Sequence, residues 1–335
     1  MKSFRELKSN KVLFSFYKNR KHYYQTCKKG ELFLSFPKGF NDPFDGKPLI
    51  DKNEFAFEYC ARKFNKATIT NFFEKALGDT YLAKLHNFEK FKDYPQFESM
   101  DEFSFLLNYG ITILIDEILE KYNDYVKELE NICNSFGVAC FSIIPPQQNM
   151  VLWAPYANNY KGFCVAYNLD FIYTDIGTER EDKIITYLCE HLYKVDYTDN
   201  FLFMDIKKLL DIPVSNLKEN DYINQYIKKI LTRKYKQWAY EEEYRLIINK
   251  NDEFLDKYFD KKGYGFSIPF PYFCSVCSFD VNYNPKRHTQ VKVIAVKNNC
   301  FCYNLTLNNE QGKLTVDKNA FCKHNLNIAL KKTKI

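Results

Sequence analysis

Three carboxylates stand side by side in the segment WAYEEEYRLII, at Glu241, Glu242 and Glu243, directly ahead of an arginine and an apolar run. Side chains alternate between faces along a strand. A strand beginning near Glu241 therefore places Glu241, Glu243 and Arg245 on one face and Glu242, Tyr244 and Leu246 on the other. Like charges crowded into a cleft raise the pKa of an acid, which prepares it for acid–base work or for stabilising a developing cation. The structural alternative is a solvated helix-to-strand junction with Glu241 or Glu243 paired to Arg245.

Two further acids, Asp42 and Asp45, lie in FPKGFNDPFDG, residues 36–46. Asn41-Asp42-Pro43 is a turn signal, because Asn and Asp side chains bond their own backbone and Pro presets φ. The segment reads as a rigid turn that presents Asp42 or Asp45 to a shared cleft beside Asn41, with Phe40 and Phe44 anchoring its base in the core. CFS at 140–142 and WAPYANNYKG at 153–162 add Ser142, Trp153, Tyr156, Asn158 and Asn159. Aromatic faces beside small polar groups suit a flat heterocycle such as a base or nicotinamide. For Trp153, packing in the core is the ordinary alternative.

The cysteines form one loose cluster: Cys274 and Cys277 in CSVC, Cys300 and Cys302 in CFC, then Cys322 and His324 in CKH. These are ligand types for a structural zinc. The second pair, however, has a single intervening residue where structural sites use two to four, so buried thiols are the ordinary reading. The histidines (22, 86, 191, 288 and 324) form no Ser-His-Asp or Cys-His arrangement, and His22 is the one nearest the candidate site in sequence. There is no Walker loop and no GxGxxG at a strand-to-helix turn, which disfavours P-loop and Rossmann chemistry.

The chain has 335 residues, 46% of them hydrophobic and 18% aromatic, far from a disordered composition. No run approaches the roughly 18 apolar residues of a membrane helix, and the N-terminal MKSFRELKSNKVLFSFYKNR has no apolar core of a signal peptide. A soluble cytoplasmic protein with free thiols and no membrane partner is the expectation. The charge of +6 is dispersed, so nucleic-acid binding is permitted without being implied.

The elements that must hold the candidate residues can be read in order. KVLFSFYKNR and GELFLSF are strands around a short helix, KHYYQTCKK. Residues 51–133 are amphipathic and read as a helical insertion. FGVACFSII, GFCVAYNL, HLYKVDYT and EYRLIIN are strands, and 200–236 reads as a second, mostly helical insertion broken at Pro213. VKVIAVK reads as a strand, and NLTL with KLTVD as a hairpin around NNEQG, within a β-rich extension over 264–335. With no repeat and no linker, residues 1–335 read as one elaborated α+β domain. Its mixed or antiparallel central sheet is assembled from sequence-distant strands.

Taken together, FNDPFD, CFS, W-x-x-YA-x-x-x-x-G and W-x-YE-x-EYR closely resemble the hallmarks of a bacterial family of unknown function, over roughly residues 11 to 297. Pro155 inside WAPYA departs from that pattern. More distantly, the order of residue types is similar to that of ADP-ribosyltransferase-like proteins. That resemblance implies nucleotide-holding groups at Lys18 or Asn19, Ser142 with Tyr156 on and beside a middle strand, and a late-strand acid at Glu243 or Glu241. It implies NAD as co-substrate, a protein or nucleic-acid acceptor, and use in phage defence or as an intracellular toxin. Tyr156 or Trp153 would stack on nicotinamide and Glu243 would face the ribose. Two other readings stand beside it: a non-catalytic nucleotide or partner sensor, and a metal-dependent nuclease or hydrolase built on Asp42, Asp45 and the late glutamates.

Overall fold

In VLFSFY, Leu13, Ser15 and Tyr17 alternate with Val12, Phe14 and Phe16, and the segment forms β1 (Val12–Tyr17). The alternation matters because both faces of this strand are covered by different groups. The computed structural model of the chain describes residues 12–63, 111, 114–168, 179–258, 266–270, 273–279, 285–298, 300–308 and 313–317. Contacts divide the chain into two compact units, one of residues 1–46, 134–200 and 230–335, the other of residues 47–133 and 201–229.

The first unit is built on an eight-stranded sheet. Its strands in chain order are β1, β3 (Phe136–Ser142), β4 (Phe163–Asn168), β5 (Leu192–Lys194), β8 (Glu243–Asn249), β10 (Phe273–Phe279), β11 (Phe301–Asn308) and β12 (Lys313–Asp317). Across the sheet they run β12-β11-β10-β4-β1-β3-β8-β5. Every pairing is antiparallel except β10 with β11. Two short pairs flank it: β2 (Glu31–Leu34) with β9 (Phe266–Pro269), and β6 (Asp196–Thr198) with β7 (Arg233–Tyr235). The fold is α+β, with a mostly antiparallel open sheet of sequence-distant strands.

One face of that sheet carries the larger core. Leu13 and Tyr17 of β1, Ala139 and Phe141 of β3, Phe163, Val165 and Tyr167 of β4, and Tyr244, Leu246 and Ile248 of β8 pack there. Over them lie the helices Lys21–Lys28, Glu179–Glu190, Glu253–Tyr258 and Pro285–Lys297, which contribute Cys27, Leu188, Leu255 and Ile294. The opposite face has a smaller cluster of Trp153, Ala157, Cys164, Cys277 and Leu305, with Phe14 and Phe16 against it. The second face of β3 and β8 is where the polar residues gather.

Two sequence expectations are corrected. VKVIAVK is helical, part of Pro285–Lys297, because parallel neighbours β10 and β11 need a crossover and cannot be joined by a hairpin. Its Val291, Ile294 and Ala295 are buried at helical spacing. Phe44 does not anchor the turn in the core: it is 56% exposed. The expected hairpin strands do pair antiparallel, from Asn304↔Asp317 to Asn308↔Lys313, with the NNEQG turn mostly outside the described residues.

The second unit is helical and combines the two segments read separately as insertions. It holds Lys52–Lys63, Ile115–Cys133, Ile206–Leu210 and the larger part of Asp221–Leu231. Phe55 meets Tyr122 and Tyr125 edge-on, and the Tyr125 hydroxyl donates to the Ile212 carbonyl. No helix among the described residues is long and apolar enough to cross a membrane.

Candidate functional site

The site begins as a fault in the sheet. β1 and β3 pair at one position only, Phe14↔Ser142, while β1 pairs with β4 along its whole length. Beyond that position the two strands part. Ser15 Oγ donates to the Cys140 carbonyl at 3.1 Å, which satisfies an acceptor that the ladder leaves open. Farther along, Val138 of β3 exchanges backbone hydrogen bonds with Ser35. Into the gap opens a cavity of about 170 Å³ lined by Phe14, Lys18, Asn41, Asp45, Cys140, Ser142, Tyr156, Lys234, Glu241, Glu243 and Arg245, among others.

Register sets the floor. Phe14 lies opposite Ser142, and Ser142 opposite Glu243, so three adjacent strands present one row. Cys140 lies opposite Arg245 in the same way. Glu241 ends a 3-10 turn, Lys236–Glu241, and Glu242 follows in the left-handed conformation at φ 42°. That residue is exposed, and the left-handed step lets both of its neighbours turn inward: Glu241 and Glu243 are 3% and 4% exposed. Ser142 Oγ donates to the Glu241 carbonyl at 2.7 Å and accepts from the Ile144 amide, which holds the turn against β3.

Arg245 is fully buried and uses all five of its N–H donors. Nε and Nη2 donate to the two Glu243 oxygens at 2.8 and 3.1 Å. Nη1 and Nη2 donate to the two Asp45 oxygens at 2.7 and 2.6 Å, and Nη1 also to the Leu231 carbonyl. The Phe40 ring lies 5.3 Å from its guanidinium carbon. Lys234 Nζ donates to Glu241 Oε2 at 2.6 Å and to Glu243 Oε2 at 3.2 Å, and stands 3.8 Å from Asp45 Oδ2. The Tyr156 hydroxyl donates to Glu241 Oε1 at 2.7 Å and accepts from Lys234 at 3.3 Å.

Burial acts on these acids unequally. It works against the charge of Glu243, but Arg245 and Lys234 outweigh it and hold that carboxyl down to about 2. Burial wins at Glu241, whose pKa is raised although Lys234 opposes it, and at Asp45, raised against the pull of Arg245. Burial would also lower the Lys234 pKa, yet Glu243, Tyr156 and Glu241 together raise it. Burial and Glu241 push the Tyr156 hydroxyl up, so it serves as a donor. Removing five charges from water is costly even when they are paired, and perturbed acids in a cleft mark a candidate functional site.

Of the residues singled out from the sequence, Lys18, Asn41, Asp45, Ser142, Tyr156, Glu241 and Glu243 line this cleft. Pro155 lines it too, while Asn19, Asp42 and Trp153 fall elsewhere. Asn19 is exposed and not part of the lining. Asp42 is buried in its turn, accepting the Phe44 amide at 3.0 Å. Trp153 is fully buried, its indole donating to the Pro146 carbonyl and its ring edge-on to Phe16 at 5.3 Å. It packs the core, the ordinary alternative to stacking on a ligand. Pro155 sits near the end of the helix Met150–Tyr156, where the missing amide interrupts only one short turn.

Sequence reasoning missed Lys234 and Cys140. Lys234 lies in the short strand β7 within a stretch whose sequence reads as helix, in a chain too rich in lysine for one to stand out. Cys140 sits in an apolar run, yet is the exposed residue of β3. It opens to the cleft while protein surrounds it elsewhere, and burial together with Glu243 pushes its thiol up. Among the proposed zinc ligands, Cys277 and Cys302 belong to different core clusters, and Cys322 and His324 lie outside the described residues. Among the described residues no group of His, Cys, Asp and Glu is arranged to hold a metal ion.

Residues 152–246 match the model of a family described as proteins of unknown function (DUF2971). The match takes in Tyr156, Lys234, Glu241, Glu243 and Arg245, whereas Asp45, Cys140 and Ser142 lie outside it. Over that segment this agrees with the resemblance to an uncharacterised family read from the sequence, while FNDPFD and CFS lie outside the match. The likeness to ADP-ribosyltransferases has no counterpart in the comparisons. No curated protein and no solved structure matches the chain.

Proposed function

We propose that the cleft binds a nucleotide and that the protein is an NAD-dependent ADP-ribosyltransferase-like enzyme. The observation that carries this reading is the convergence of Ser142, Tyr156, Glu241 and Glu243 on one cavity walled by aromatic side chains. Aromatic walls with a few convergent polar groups suit a flat heterocycle. Buried carboxylates suit the cation that forms at ribose when the bond to nicotinamide breaks.

The two glutamates divide the work. Glu243 accepts from cations on both oxygens and acts as a positioning residue. Glu241 Oε1 accepts a single hydrogen bond, from Tyr156, so it retains a lone pair for a ribose hydroxyl. The electron pair of the broken bond leaves with neutral nicotinamide, the acceptor's nucleophile bonds the ribose carbon, and its proton passes to Glu241, whose raised pKa suits it to receive one.

One observation favours a second reading, a nucleotide sensor without turnover: the closed pairing of Asp45 and Glu243 with Arg245 is what a purely structural anchor would show. A nuclease that holds a metal on these acids draws less support, since Lys234 and Arg245 stand between them. Labelled NAD incubated with protein and cell lysate separates the readings. Enzymatic transfer labels an acceptor and releases nicotinamide, and Glu241→Gln abolishes both. Ligand-dependent thermal stabilisation with no product would establish the sensor instead.

A further inference from the structure

The charges lining the cleft are unevenly distributed. Three buried carboxylates, Asp45, Glu241 and Glu243, surround two cations, Lys234 and Arg245, so the fully ionised cluster carries one surplus negative charge. The cleft's other cation, Lys18, takes part in none of the ion pairs among the described residues and is half-buried. It lies four residues along the chain from Phe14, or about 13 Å from the Phe14–Ser142–Glu243 row at about 3.3 Å per strand residue. The cleft's lining is rich in aromatic side chains, Phe16, Tyr17, Tyr23, Phe33, Phe40 and Tyr156 among them. Aromatic faces attract cations as well as flat rings.

We propose that the cleft selects a planar cationic heterocycle, seated against Glu241, whose anionic remainder extends toward Lys18. This rests on the nucleotide reading above and specifies the charge pattern of the ligand. For a nicotinamide nucleotide, the oxidised form, with its pyridinium charge, is accepted and the neutral reduced ring is rejected. Glu241 is the discriminating group. The charged and titratable groups facing it are Lys234 from β7, Tyr156 from the helix Met150–Tyr156, Glu243 from β8, Tyr197 from β6 and Tyr240 from its own turn, with Asp45 beyond Lys234. Without a ligand, a proton on Glu241 relieves the surplus, so cation and proton compete and affinity rises with pH.

Calorimetric titration with 1-methylnicotinamide, a cation, and nicotinamide, its neutral near-isostere, tests the charge preference directly. Oxidised and reduced NAD form a second pair. The wild-type protein is expected to favour each cationic member at least tenfold, with affinity rising from pH 5 to pH 8. Glu241→Gln, checked for an unchanged melting temperature, removes both effects. Lys18→Met weakens the dinucleotide while leaving 1-methylnicotinamide unaffected. Equal affinity for the charged and neutral members, or no pH dependence in the wild type, overturns the inference. If oxidised NAD binds without such preference, the nucleotide reading survives alone, and if folded protein binds none of the four, both fall.

Discussion

Arg245 on β8 and Asp45 in the turn after β2 stand 200 positions apart and are joined by two parallel hydrogen bonds of 2.7 and 2.6 Å. A planar fork of this kind fixes orientation as well as distance. It fastens FNDPFDG to the strand that carries Glu243, so the turn and the late acids belong to one site. Gly46 completes the geometry: it adopts φ +66°, and a Cβ there would lie 3.1 Å from Leu231 and 3.2 Å from Pro37.

The fork makes Arg245 the most sensitive position in the cluster. Arg245→Met leaves Asp45 and Glu243 buried with Lys234 as their remaining cation, a loss expected to cost about 3–5 kcal/mol of folding stability. Adding Asp45→Leu should recover part of it, since a buried charge left without its fork is removed. Urea unfolding of the two single variants and the double variant measures the coupling. Strict additivity, or an Arg245→Met loss below about 1 kcal/mol, would show that the fork contributes little.

Acid should loosen the cluster in a defined window. Glu243 is held at about 2, below its ordinary 4.5, so its contribution to stability is present above 4.5 and is lost as pH falls toward 2. Asp45 and Glu241 are raised instead, so they take up protons more readily in the folded state and partly offset that loss. Melting temperatures measured from pH 6 to pH 2 should fall more steeply for the wild type than for Glu243→Gln. Parallel curves would remove Glu243 as the responsible group.

Thiol chemistry reports on the cleft without reference to turnover. Cys140 is the exposed cysteine among those described, and most of the others are buried. A maleimide should label it first in the native protein, slowly at neutral pH because the thiol is pushed up, and faster as pH rises. Saturating ligand should slow the reaction. Peptide mapping that finds a described buried cysteine modified first would contradict the placement of β3.

Gly162 supports the cleft from outside it. Asn158, Asn159 and Tyr160 all have positive φ, and a Cβ on Gly162 would lie 2.0 Å from the Tyr17 carbonyl. Backbone must move to admit it. Gly162→Ala is expected to destabilise by about 1–3 kcal/mol or more and to weaken ligand binding through β1. An unchanged melting temperature would contradict this close approach.

Much of this site was legible where local chemistry is strong. The alternation in EYRLII put Glu243 and Arg245 on one face because the period of a strand is two, and β8 follows it. The turn at Asn41-Asp42-Pro43 was readable because Asp42 bonds its own backbone. Pairings across the chain were not readable. Nothing in Lys234's neighbourhood indicates that Glu241 and Glu243 await it, and crowding alone suggested raised acids where Arg245 and Lys234 lower one of them. VKVIAVK misled because a buried crossover helix and a buried strand share the same apolar composition.

Nicotinamide release from NAD, followed for the wild type and for Glu241→Gln at matched melting temperatures, tests the central claim most directly. Release by the wild-type protein that disappears in the variant is the expected result. Folded wild-type protein that releases none, or a variant that releases as much as the wild type, would contradict it.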